Sequence, residues 1–228
     1  MGGLRQVDPL ALIFLTLLFV MIPVAGLRRA RTAPAPNPGR RLRYYRLICV
    51  QLACFGLLSW CVAWRLRIPL GHLPRSPLLA WAGAGALVAL FYYALEPYRR
   101  RRIARGDMRT FTMAPGEGQL GGWAIVSLCA GVAEELAYRG VASSILLYAG
   151  LPAWAVVLLV SAAFGLGHAD RGWFHVAATF GIGALLHVLV LTSGSLWPAM
   201  AAHAVYDFFA GWSYGRMARE AERAAAGG

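Results

Sequence analysis

Long uncharged runs alternate with short basic ones along this chain. Pro9–Leu27, Leu47–Trp64 and Pro77–Leu95 contain no charged side chain. Each is close to the roughly 20 apolar residues that a helix needs to cross a bilayer. Gly118–Ala133 is uncharged up to Glu134-Glu135, and the apolar run resumes after Arg139. Gly140–Ala169 follows, broken at Gly150-Leu151-Pro152, and then come Gly172–Gly194 and Ser195–Gly215, the last holding Asp207. The pattern predicts an all-α fold, a polytopic membrane helix bundle of about seven transmembrane helices. It divides the chain into amino-terminal membrane helices with basic loops (1–117), a core (118–215) and a basic tail (216–228).

Composition agrees with lipid surroundings. Hydrophobic residues make up 59% of the 228 residues and charged ones 14%. Soluble domains carry about 25% charged residues, so a disordered chain and an ordinary cytosolic enzyme are both excluded. The net charge is +12, and all 22 basic residues are Arg. A basic excess can mark a nucleic-acid binder. Beside membrane helices, a run such as Arg99–Arg102 instead fixes topology or meets anionic lipid, and no nucleic-acid partner is expected. Sorted by loop, 17 Arg fall on one side of the bundle and four on the other. Cytoplasmic loops collect Arg, so the carboxyl terminus is expected in the cytoplasm. The Lys-free composition points to a GC-rich bacterium and hence its plasma membrane. Positive charge follows the first span rather than preceding it, as in a retained anchor and not a signal peptide. Residues 28–41 and 216–228 read as solvated loop and tail. Cys49, Cys54, Cys61 and Cys129 all lie in apolar spans without a CxxC pair, so packing is their expected role.

Ionisable groups at bilayer depth are costly, and their default reading is functional. Those of this chain are Glu134, Glu135, Arg139, His168, His175, His187, His203 and Asp207. On a helix, Glu135 and Arg139 are i and i+4 and meet on one face. Glu134 is turned about 100° away and lacks that partner, which makes it the candidate for proton transfer and Glu135 the structural acid. Counted from the turn at Gly150, Glu134 and His168 reach similar depth on two antiparallel helices. Gly165 and Gly167 beside His168 allow close approach of another element. Pro198 suits the first turn of the last helix. There His203 and Asp207 are again i and i+4, so the acid can orient the imidazole. By the same count His203 misses the Glu134 level by roughly 10 Å. His175 and His187 have no acid at helical spacing and read as satisfied interhelical residues; His72 reads as a loop residue.

Three of these constellations, Glu134-Glu135-x-x-x-Arg139, Phe164-x-x-x-His168 and His203-x-x-x-Asp207, resemble the ordered motifs of the CPBP family. These are intramembrane proteases related to type II CAAX prenyl endopeptidase and to bacteriocin-processing, Abi-like proteins. Gly194-Ser195-Leu196-Trp197-Pro198 is similar to the family's phrase before the last His. The likeness covers about residues 120–212 and makes the 118–215 segment a CPBP-like catalytic core. It implies hydrolysis of a peptide bond in a membrane-associated protein or peptide. Glu134 would activate water, His168 would assist, Arg139 would hold Glu135, and His203 with its partner would stabilise the oxyanion. Many relatives have Asn where this chain has Asp207. An ionised Asp has no donor, so Asp207 either stays protonated or orients His203.

Glu134, His168 and His203 are also candidate ligands of a two-His, one-carboxylate zinc site. No HExxH motif requires one, and the family has been described both as metalloprotease and as glutamate protease. Two further classes compete with an endopeptidase. One is a non-catalytic scaffold or bacteriocin-immunity protein on the same fold. The other is a transporter or proton relay. The expected partners are the lipid bilayer and a membrane protein or peptide substrate; the sequence names neither that substrate nor an oligomeric state.

Overall fold

The computed structural model describes residues 8–32, 40–105, 114–116 and 118–226. Among them every regular element is helical. The helices are α1 (Pro9–Arg31), α2 (Arg41–Leu66), α3 (Pro77–Ala104), α4 (Leu120–Tyr148), α5 (Ala153–Gly167), α6 (Trp173–Ser193) and α7 (Trp197–Ala226). A 3-10 turn, Ala169–Arg171, links α5 to α6. Helices α1, α2, α3, α4 and α6 are long and apolar enough to cross a membrane. At 15 residues, α5 is shorter than a span, and α7 carries His203, Asp207 and a charged end. The seven expected helices are therefore present, five of them with the length and composition of a span.

Local chemistry sets their ends. The Asp8 carboxylate accepts the Leu10 N–H at 2.9 Å and Pro9 opens α1, a favoured pairing at a helix start. Gly194 closes α6 with φ +69°, a left-handed cap that glycine adopts without strain.

Two apolar clusters form the interior. Phe14 and Leu18 of α1 pack with Val62 of α2, Tyr138 and Val141 of α4, and Val156 and Val160 of α5. On the other side, Phe91 of α3, Leu186 of α6 and Ala199 and Ala202 of α7 come together. Contact between α4 and α7 joins the halves. It is close because of Gly131, where a Cβ would lie 2.7 Å from the Met200 carbonyl oxygen. Gly165 does the same for α5 against α6, with the Val176 oxygen 2.8 Å from a Cβ position. The outer faces are apolar: Trp64 is 77% exposed and Leu78 82%, which suits lipid and not water.

Two expectations change. The arginine run after Leu95 is not loop, because α3 continues through it to Ala104. Its turning face carries Arg99 and Arg102 inward, and both are buried. The carboxyl-terminal tail is helical as far as Ala226, with Met217 buried, because its apolar side continues the face of α7. Residues 33–39 of the expected first loop, Arg5 and Arg109 lie outside the described residues. All four cysteines are free.

Candidate active site

On α4, regular α-helix runs to Glu135 and a π-helical stretch, Leu136–Ala142, follows. The Ser143 hydroxyl donates to the Tyr138 carbonyl five residues back, in keeping with that wider turn. Such turns recur at functional sites. Within it Arg139 Nη1 donates to Glu135 Oε1 at 2.8 Å, and neither side chain is exposed. The guanidinium also lies over the Phe164 ring, 4.4 Å from its centre, a cation–π contact that helps a cation with buried, unbonded Nε and Nη2. Gly183 leaves room for it, since a Cβ there would come within 2.8 Å of Nη2.

His203 on α7 reaches the same acid: its Nδ1 lies 2.8 Å from Glu135 Oε1. A carboxylate accepts, so Nδ1 carries the proton. Nε2 on the other edge lies 3.7 Å from Glu134 Oε2 and 3.6 Å from Asp207 Oδ2. Two expectations are corrected here. His203 and Glu134 share a level, with no 10 Å gap. The π-helical turn fits more residues into the same rise between Glu134 and Gly150. The start of α7 is itself sunk into the bundle, where Ser195 is buried and donates to the His72 carbonyl at 2.8 Å. And the group that fixes the His203 ring through Nδ1 is Glu135, while Asp207 flanks Nε2.

His168 caps α5. Its Nδ1 is 2.8 Å from the Phe164 carbonyl oxygen, so Nδ1 donates and Nε2 of the neutral ring is left as an acceptor. Phe164 does more than mark a motif. Its ring meets His168 at 4.9 Å and His203 at 5.9 Å between centres, both edge-on, and so separates the two imidazoles.

Glu134, His168, His203 and Asp207 all line one cavity of about 190 Å³. It has space for several waters. Glu135 and Arg139 stand behind its wall. Further polar residues, which the sequence pattern did not single out for this place, line it as well, among them Tyr98, Arg99, Arg171, Tyr206 and Tyr214. His175 also faces it, with Arg171 Nη1 at 3.3 Å from its Nε2, so it is more than an interhelical filler. His187 is the buried interhelical residue expected, with Nε2 3.1 Å from the Ser143 hydroxyl.

The zinc set is not assembled. Among the described residues no three His, Cys, Asp or Glu side chains are grouped to hold a metal ion. His203 gives Nδ1 to Glu135, and its Nε2 stands a non-bonding 3.7 Å from Glu134.

The Glu-Glu-Arg, His and His-Asp elements thus converge at one cavity of a helical bundle. Residues 116–209 match a family model described as type II CAAX prenyl endopeptidase Rce1-like. The match covers about two fifths of the chain and supports a CPBP-like segment there; with five helices long and apolar enough to cross a bilayer, the chain is an integral membrane protein. Neither the curated proteins nor the solved structures contain a match.

Proposed function

We propose that the protein is an intramembrane endopeptidase in which Glu134 activates water with help from His168. The observation that carries this is the division of labour between adjacent acids. Glu135 is spent on Arg139 and His203, while Glu134 faces the cavity without an Arg partner. A water between Glu134 and the acceptor Nε2 of His168 would lose its proton to the carboxylate as it attacks the scissile carbonyl. Glu134 would then return that proton to the leaving amine.

His203 is assigned to the oxyanion. Three carboxylates, Glu134, Glu135 and Asp207, surround it, with Arg139 paired to Glu135, and an imidazolium adds a positive charge to that cluster. Both its nitrogens then donate: Nδ1 to Glu135, Nε2 toward the cavity. Asp207 thus needs no donor of its own; it orients and balances Nε2–H. The chemistry is of the glutamate type, with no step through a metal.

The test compares new peptide termini in membranes of cells carrying the native chain and a Glu134→Ala chain expressed to the same level. Cleavage products present with the native chain alone support the reading. Identical products in both overturn it. If an associated phenotype survives replacement of Glu134, His168 and His203 together, a non-catalytic scaffold is the better account.

A further inference from the structure

Part of the cavity wall comes from α3, which lies outside the matched residues 116–209. Leu95, Tyr98 and Arg99 of α3 line it at helical spacing. Arg99 is 1% exposed. Its Nη2 donates to the Tyr92 carbonyl, and its guanidinium lies over the Tyr92 ring, 4.8 Å from the centre. Its Nε and Nη1 have no hydrogen-bond partner. The obvious acids are engaged elsewhere. Glu96 receives Arg100 at 2.6 Å, and Asp207 stands at His203.

A buried guanidinium with unmet donors is costly unless an anion answers it. The lining joins two acids, Glu134 and Asp207, with a cationic and aromatic set, Arg99, Arg171 and the tyrosines Tyr98, Tyr206 and Tyr214. Arg99 and Glu134 line the same cavity, so a peptide held at Glu134 can present an anionic group to Arg99.

We infer that Arg99 is a specificity-determining residue that anchors a substrate carboxylate in the cavity. Arginine suits this task because its donors are fixed in a plane and it stays charged when desolvated. The carboxylate is either the free end of a peptide chain or an Asp or Glu side chain a short distance from the cleaved bond. The inference rests on the proposed hydrolytic reading only for what the ligand is. Binding can be measured without turnover.

The experiment uses the full chain with Glu134→Gln in zwitterionic nanodiscs, so that retention is read where cleavage is disabled. Three pools of N-palmitoylated tetrapeptides with randomised positions serve as probes. One pool ends in the free acid, one in the amide, and one in the amide with a fixed Glu. The acid pool, the Glu pool or both should be retained at least ~10-fold better than the plain amide pool, the scale of one charge-assisted hydrogen bond. Which of the two is retained identifies the source of the carboxylate. Adding Arg99→Gln should abolish the preference, and Arg99→Lys should keep part of it. Equal retention of all pools, or of none, overturns the inference. So does a preference that survives Arg99→Gln in a protein that still melts cooperatively. A structural role alone would lower the melting temperature of the Arg99→Gln chain and leave its preference intact.

Discussion

The acidic residues that line the cavity and Arg99 beside them differ in chemistry and in where the chain supplies them. The acidic set is built from α4, α5 and α7, inside the family-matched segment. Three of its groups are held by a second one: Glu135 by Arg139, His203 by Glu135, His168 by the Phe164 carbonyl. Arg99 comes from α3, outside that segment, and keeps free donors. Fixed geometry suits bond making and breaking, where small misplacement is expensive. Unmet donors suit recognition, since the partner arrives with the substrate. On the proposed function, the contrast separates what would perform the reaction from what would select its substrate.

Substitutions in the acidic set and at Arg99 should break that contrast differently. The largest effect is expected at Glu134. Glu134→Gln should lower the hydrolysis rate by about 10²–10⁴-fold, the usual contribution of a positioned general base, with the thermal unfolding midpoint in detergent unchanged. Glu135→Ala or Arg139→Ala should instead strike stability. Each leaves a buried charge without its partner, at a cost of about 3–5 kcal/mol, and the melting curve should shift down even without substrate. Gly131→Val should force α4 and α7 apart, costing about 1–3 kcal/mol by overpacking and weakening the His203–Glu135 bond. It should therefore reduce both stability and rate. Arg99→Gln should cost ~10-fold in selection for carboxylate-bearing peptides while leaving the melting midpoint near that of the native chain. Asp207→Asn should have the smallest effect, a few-fold in rate, because Glu135 still fixes the His203 ring through Nδ1.

The same contrast explains what could be read from the sequence. In the acidic set, every key residue interrupts an apolar run, where an ionisable side chain stands out against its neighbours. Helical spacing alone then pairs Glu135 with Arg139, and that pair is present. The depth count went astray at His203, because it assumed a uniform 1.5 Å rise per residue through a stretch that is π-helical and took α7 to start at the bundle's edge. Neither departure leaves a mark in residue spacing. The Nδ1 contact of His203 was also illegible, since Asp207 four residues on is the nearer partner in sequence and Glu135 is on another helix. For Arg99 the difficulty was different. Arg99 stands among four consecutive arginines, and charge counting treats these as one topogenic loop. Only the continuation of α3 to Ala104 gives them distinct faces, sending Arg99 inward and Arg100 to Glu96. The sole hint in the chain was aromatic: Tyr92, Tyr98 and Tyr206 accompany the charges that turn inward.

In the proposed mechanism Glu134 delivers water directly to the peptide bond. Single-turnover hydrolysis of a native substrate in H₂¹⁸O, read by mass spectrometry on both the product and the protein, tests it most directly. One ¹⁸O is expected in the new carboxylate of the product and none in the peptide containing Glu134. Label appearing in the Glu134 carboxylate, or the same labelled product from a Glu134→Gln chain, would contradict it.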